Sequence, residues 1–151
     1  MGSLNIGIAG LGNAAKQVLP CFGKVEGVRL AAAADIRGQA REEFTAKYKL
    51  PAHTSMEELC ASNEIDAVWI ETPNHLHAEH AICAARNGKH VICAKPLAAT
   101  LEECDKMIAA AHTNDVRLLI GHSKIFDPPI RAIGEITRTG RLGKVVQIDS
   151  W

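Results

Sequence analysis

Short apolar runs alternate along this chain with segments whose apolar positions recur every three to four residues. Leu4–Ala9 (LNIGIA) is a mainly apolar run ending in a glycine-rich turn, the pattern of a strand buried in a parallel sheet. A helix is predicted from Asn13 to about Phe22. Val28–Asp35 (VRLAAAAD) reads as a second strand, although alanine carries little β-propensity. Arg37–Lys49 reads as a helix stopped before Pro51. A short strand near His53 leads to Ser55, which with Glu58 three residues on has the form of a capping box. Asp66–Glu71 is a predicted strand, His77–Arg86 a helix closed by Asn87-Gly88, and Lys89–Cys93 a further strand. Thr100 caps a helix through Ala111, again with an acid three residues on, Glu103. Val116–Gly121 is a strand. A helix opens at Pro128 or Pro129 and runs to about Thr139, followed by a turn at Gly140–Gly143.

Strand and helix thus repeat about six times over the first ~120 residues. The pattern predicts an α/β fold, a Rossmann-type doubly wound parallel sheet with helices on both faces. Lys144–Trp151 (KVVQIDSW) alternates like one more strand, with Val145, Gln147 and Asp149 on one face. It stops with no partner and no turn. The expected organisation is therefore a doubly wound domain over residues 1–122. Residues 123–151 would be a connecting helix and the first strand of a second domain whose remainder is missing; an edge strand that simply ends the domain is the alternative.

Composition narrows the function. Of 151 residues, 47% are apolar and 23% charged, a globular composition. Seventeen basic residues balance seventeen acidic ones, which argues against nucleic acid and against a polybasic membrane anchor. No run approaches the ~18 apolar residues of a membrane span. The N-terminus lacks a basic segment and a small-residue cleavage site, so no secretory signal is read, and Ile6 stands where an acylated Met-Gly start wants Ser or Thr. Five cysteines without a CxxC pair read as reduced thiols of a cytoplasmic protein.

The chemistry gathers at strand ends. Gly10-Leu11-Gly12-Asn13-Ala14-Ala15 fits G-x-G-x-x-G/A. Gly10 permits the tight strand-to-helix turn. Gly12 lets a pyrophosphate approach the backbone, and Ala15 keeps helix and strand close. Free N–H groups at the helix start, including those of Asn13 and Ala14, would then hold the phosphates. Asp35 ends the next strand at about the twenty-residue spacing of a carboxylate that accepts from the adenosine ribose hydroxyls. A carboxylate there favours NAD. Arg37, two residues on, is placed to pair with a 2′-phosphate, so NADP stays open.

Thr72-Pro73-Asn74 follows a strand at the ligand-binding edge, with a stiff turn and two side chains able to hydrogen-bond near a helix start; a turn with an Asx-type cap is the plainer alternative. His75, His77, His80 and Cys83 raise the question of a metal. The spacing of His77, His80 and Cys83 spreads them around a helix instead of closing on one ion, so no metal is expected. Lys95-Pro96 ends the fifth strand, where an ammonium could stabilise charge on a substrate oxygen; a cis bond to Pro96 would hold it in place. A solvated lysine is the plainer alternative. His122 and Lys124 follow the sixth strand and could face the same edge.

Together these residues resemble the N-terminal domain of the Gfo/Idh/MocA oxidoreductase family. The resemblance rests on GLGNAA (Gly10–Ala15), Asp35, TPNHLH (Thr72–His77), GKHVICAKPLA (Gly88–Ala98), TLEEC (Thr100–Cys104) and GRLGKVVQI, which covers nearly the whole chain. It implies a two-domain NAD(P)-dependent oxidoreductase acting on a secondary alcohol of a sugar, inositol or cyclic dihydrodiol. It implies that residues 1–122 are the dinucleotide-binding Rossmann domain, that the second domain is α/β, and that homo-oligomers assemble through that second domain. It makes Lys95 the catalytic lysine. Cofactor contacts would come from Gly10, Gly12, Asn13, Ala14, Ala15, Asp35, Arg37, Thr72, Pro73, Asn74, His77, Lys95 and Pro96. The family's other catalytic residues lie in the second domain, so these residues alone would bind cofactor without completing the reaction.

Two positions depart from the family pattern: Ala94 replaces its glutamate, and Lys124-Ile125-Phe126 replaces an Arg-Phe pair. The segments AKPLAATLEECDKMIAAA and GHSKIFDPPI further resemble members that act as phthalate cis-dihydrodiol dehydrogenases. The alternative readings are a regulatory Rossmann module that binds NAD(H) without chemistry, and a Rossmann-like methyltransferase. The retained Lys95-Pro96 argues against both, and Asp35 with a complete GxGxxA argues against the second.

Overall fold

The computed structural model describes residues 3–147 and 149. The Met1-Gly2 start, read above for an acylation motif, lies outside them. The chain divides into two compact units, Met1–Gly121 and His122–Trp151.

The first unit is built on a parallel sheet of six strands: β1 (Leu4–Ala9), β2 (Val28–Ala34), β3 (Ala52–His53), β4 (Ala67–Ile70), β5 (His90–Cys93) and β6 (Leu118–Ile120). Their spatial order is β3-β2-β1-β4-β5-β6, every pair parallel. The order reverses between β1 and β4. This is the switch point at which open α/β sheets bind ligands beyond their carboxyl ends.

Helices α1 (Asn13–Val18), α2 (Gly38–Tyr48), α3 (Met56–Ala61), α4 (His77–Arg86) and α5 (Leu101–Thr113) connect the strands. Side-chain alternation sorts the core into two layers. Ile6, Ile8 and Ala33 pack with Leu11, Ala15, Phe22 and Phe44 on the α1–α2 face. Ala9, Val68, Ile70 and Val91 pack with Leu59, Ala81, Ala84 and Met107 beneath α3, α4 and α5. Burying each larger aliphatic side chain stabilises by about 1.5–3 kcal/mol. Between two such layers even the alanines of β2 are buried at Ala32, Ala33 and Ala34, so burial overrides their weak strand preference. The layers also approach closely: a Cβ on Gly7 would stand 2.9 Å from Leu59 Cδ1.

Local signals set the helix ends. The helix predicted to Phe22 is α-helical only to Val18 and continues as a 3₁₀ segment, Leu19–Lys24, whose Pro20 lacks the N–H an α-turn needs. Thr100 forms a complete capping box with Glu103. Ser55 accepts from the Glu58 N–H at 3.2 Å. All five cysteines are free, and burial pushes the thiols of Cys60 and Cys93 up to about 12. At ordinary pH these two behave as core hydrophobes.

The second unit holds a 3₁₀ turn, Ser123–Phe126, and helix α6 (Pro128–Arg138), with both prolines in its first turn. The strand expected over Lys144–Trp151 does not form through residue 147. Alternation alone does not make a strand, and these residues have no ladder partner among those described. Positions 148, 150 and 151 lie outside the described residues. No helix among the described residues is long and apolar enough to cross a membrane.

Candidate functional site

At the carboxyl ends of β1, β2 and β4 lies a cleft of about 800 Å³. Its floor is the turn between β1 and α1. Gly10 has φ +90°, and a Cβ there would stand 2.7 Å from the Glu71 carbonyl oxygen, so two strand ends meet where only glycine fits. Gly12 is different. Its φ is −78°, and a Cβ there would meet nothing within 4 Å. Protein packing does not require a glycine at this position; the space above it is open cleft.

Helix α1 begins directly after Gly12 with no side-chain cap and no acid in its first turn. Its leading N–H groups are therefore available to an anion. Asn13 and Ala14 line the cleft, while Ala15 is buried against the sheet.

Asp35 forms the second wall. Its carboxylate accepts from the Leu11 N–H at 2.7 Å and from the Arg37 N–H at 2.9 Å. The Arg37 guanidinium closes a fork on it, Nε to Oδ1 at 2.9 Å and Nη2 to Oδ2 at 2.8 Å. Burial alone would raise the Asp35 pKa. The Arg37 bonds, with that from Leu11, more than offset this and lower it to about 2. The Asp35 side chain is 6% exposed and that of Arg37 58%. The acid is fixed in the fold, whereas the guanidinium sits at the cleft mouth and can exchange partners with a ligand.

The third wall follows β4. Glu71 is half-buried and accepts from Trp69 Nε1 at 2.8 Å. Burial raises its pKa against that bond and the charge of His77. Thr72 Oγ1 lies 3.0 Å from His80 Nδ1, and burial lowers the His80 pKa. Pro73 lines the cleft, and Asn74 opens a 3₁₀ turn, Asn74–Leu76, that leads into α4.

The ring of His77, expected to contact a cofactor, is turned inward. It is 1% exposed, with Nδ1 2.8 Å from the Pro96 carbonyl oxygen and Nε2 2.9 Å from that of Thr72. Lys95 and Pro96 are exposed at the end of β5, joined by a cis bond. His122 and Lys124 belong to the second unit, where Lys124 pairs with Asp127 at 3.4 Å. Among the described residues no three His, Cys, Asp or Glu side chains are grouped to hold a metal.

Sequence reading missed several cleft residues. Ile36, 89% exposed, and the buried Met56 give the cleft apolar lining, and Thr54 and His80 line it as well. These come from separate elements and carry no spacing signal; only the position of β3 beside β2 could have pointed to Thr54 and Met56.

A glycine turn open to an anion, a strand-end acid beside it and a cleft at the switch point define a dinucleotide-binding Rossmann domain. Residues 4–122 match the family model described as oxidoreductase family, NAD-binding Rossmann fold, and the chain belongs to this Gfo/Idh/MocA family. It is 40% identical over 148 residues to the 1-carboxy-3-chloro-3,4-dihydroxycyclohexa-1,5-diene dehydrogenase of Comamonas testosteroni, covering 97% of this chain and 37% of that protein. It is 36% identical over 110 residues to scyllo-inositol 2-dehydrogenase (NADP(+)) IolU of Bacillus subtilis, covering 72% of this chain and 34% of that one. The crystal structure of myo-inositol 2-dehydrogenase from Lactobacillus plantarum superposes with a TM-score of 0.87 at 26% identity, over 95% of this chain and 43% of that one. The chain therefore spans little more than a third of the length of these two curated relatives.

Proposed function

We propose that this chain is the cofactor-binding part of an NAD(P)-dependent dehydrogenase. Its reaction moves a hydride between a nicotinamide and a ring carbon bearing a hydroxyl, on a cyclic dihydrodiol or polyol. The observation that carries the reading is Gly12, a glycine that packing does not need, facing open cleft beside the uncapped start of α1. The residues fit the cofactor in three places. The Gly10–Ala14 turn accepts the pyrophosphate. Asp35 accepts from the adenosine ribose hydroxyls once Arg37 opens its fork, since its two oxygens otherwise take four hydrogen bonds. Ile36 and Met56 offer apolar cover to the adenine.

Glu57, Glu71 and Glu79 line the α3–α4 side of the cleft. They repel phosphate, which confines it to the glycine turn, and with Asp35 they favour NAD over NADP. Arg37, released from its fork, is the group that would pair with a 2′-phosphate and admit NADP. When bound, the nicotinamide supplies the hydride acceptor or donor. Lys95 polarises the substrate oxygen. A proton acceptor and the walls of the substrate site come from outside these residues, in a second domain beginning near residue 123 through which the protein forms homo-oligomers.

The dihydrodiol class is supported by the Comamonas relative, and the polyol class by the Bacillus one. Free thiols at all five cysteines support a cytoplasmic setting.

The test is a parallel calorimetric titration with NAD, NADH, NADP and NADPH. Saturable binding that prefers the unphosphorylated pair is expected. Preference for the phosphorylated pair would hand the ribose site to Arg37. Absence of binding to this chain and to a chain of the relatives' length would refute the reading. In that longer chain, Lys95→Met is expected to cut turnover by about two orders of magnitude with cofactor affinity kept.

A further inference from the structure

His77 opens α4 with a buried ring between two carbonyl oxygens, those of Thr72 and Pro96. Carbonyl oxygens only accept. A neutral imidazole has a single N–H, so it can bond one of them and must set a lone pair against the other at under 3 Å. A ring with hydrogen on both nitrogens donates to both. A buried cation needs both hydrogen bonds and a counter-charge. Both acceptors are in place here, and Glu71, which precedes Thr72, is the acid within Coulombic reach of the ring; His80 lies one turn along α4, and Lys95, next to Pro96, is exposed.

We propose that His77 is a positioning residue, an imidazolium that ties the Thr72–Asn74 loop to the Lys95–Pro96 loop. The two loops reach the ligand edge from β4 and β5 and are far apart in sequence. Through this tie the wall of the cofactor cleft and the exposed Lys95 move as one piece. The assignment rests on the cofactor reading for its purpose, but the state of the ring is decided without any ligand.

The first arm is a long-range ¹H–¹⁵N spectrum of the histidine rings in the ligand-free chain, assigned through the backbone. Both His77 nitrogens are expected to carry slowly exchanging hydrogens at neutral pH. One protonated and one bare nitrogen would overturn the proposal whatever the cofactor result.

The second arm titrates NAD into the wild-type chain and His77→Gln at neutral pH, with the backbone amides of Leu97 and Ala98 followed by NMR. Removing the ring loses one of the two bonds, so the Gln variant is expected to bind about tenfold more weakly, the scale of one lost charge-assisted bond, and its Leu97 and Ala98 amides no longer shift when NAD reaches the Thr72–Asn74 loop. Equal affinity and equal amide shifts in the two proteins would overturn the coupling. Failure to bind any dinucleotide, with both ring hydrogens present, would instead refute the cofactor reading and leave the tie standing.

Discussion

Replacing Gly12 by alanine separates a glycine needed for folding from one needed for a ligand. At φ −78° alanine is unstrained, and its Cβ would meet nothing within 4 Å. Losing a glycine from the unfolded ensemble should stabilise the fold by about 0.4–1 kcal/mol, a rise of about 1–4 °C in Tm for a domain this size. A bound phosphate is affected the other way. An N–H···O bond needs about 2.9 Å, and the added methyl holds an oxygen farther off. Losing one charge-assisted bond costs about 1.5–3 kcal/mol, or about ten- to hundredfold in Kd. The assay pairs calorimetric titration of NAD with a thermal melt on the same sample. Gly10→Ala is the control. Its φ of +90° and the 2.7 Å approach to Glu71 predict a loss of roughly 2–3 kcal/mol and a lower Tm. A Gly12→Ala protein with a raised Tm and unchanged Kd would show that no phosphate lies over Gly12, and the reasoning would fall.

Three further outcomes are expected. Asp35 is held at about 2 against an ordinary 3.8, so the folded state binds its proton less readily than the unfolded chain. Its contribution, about 1–2 kcal/mol once the exposed Arg37 is discounted, is complete above about pH 4 and is lost as pH falls towards 2. Urea midpoints across that window should drop more steeply for wild type than for Asp35→Asn. Thr100→Ala removes the side-chain half of a complete capping box and should lower stability by about 1 kcal/mol, read as a fall in Tm of about 2–4 °C. Gly7→Val drives a side chain into Leu59 and Ile65 and should cost about 1–3 kcal/mol or more by chemical denaturation, with no specific effect on cofactor affinity in the folded fraction.

The elements that read well from sequence are those whose signals are local. The GxGxxA turn, both Ser/Thr caps with their glutamates and the Asn87-Gly88 stop carry their geometry in a few adjacent residues. Strand positions followed from apolar runs because the central strands β1, β2 and β4 are buried on both faces. The Lys144 segment shows the limit of that logic, since over residues 144–147 its alternation meets no ladder partner among the described residues. At the site, Gly12 and Asp35 were legible because a backbone turn and a strand end fix where they go. His80, Ile36, Met56 and Thr54 meet only after α2, α3 and α4 have packed, so no spacing announces them. His77 sat in a motif that marked it for the ligand, but burial and two carbonyls decided the direction of its ring.

The parallel sheet also sorts the surface into a working rim and a free rim. The turns at Gly27 and Gly88 lie at the amino ends of β2 and β5, opposite the cleft, with left-handed φ and nothing within 4 Å of an added Cβ. A fluorescent protein or an affinity tether spliced into either turn would ride on the scaffold without touching the ligand edge. The same architecture that gathers the chemistry on one side thus offers the other as an attachment point for a nicotinamide sensor.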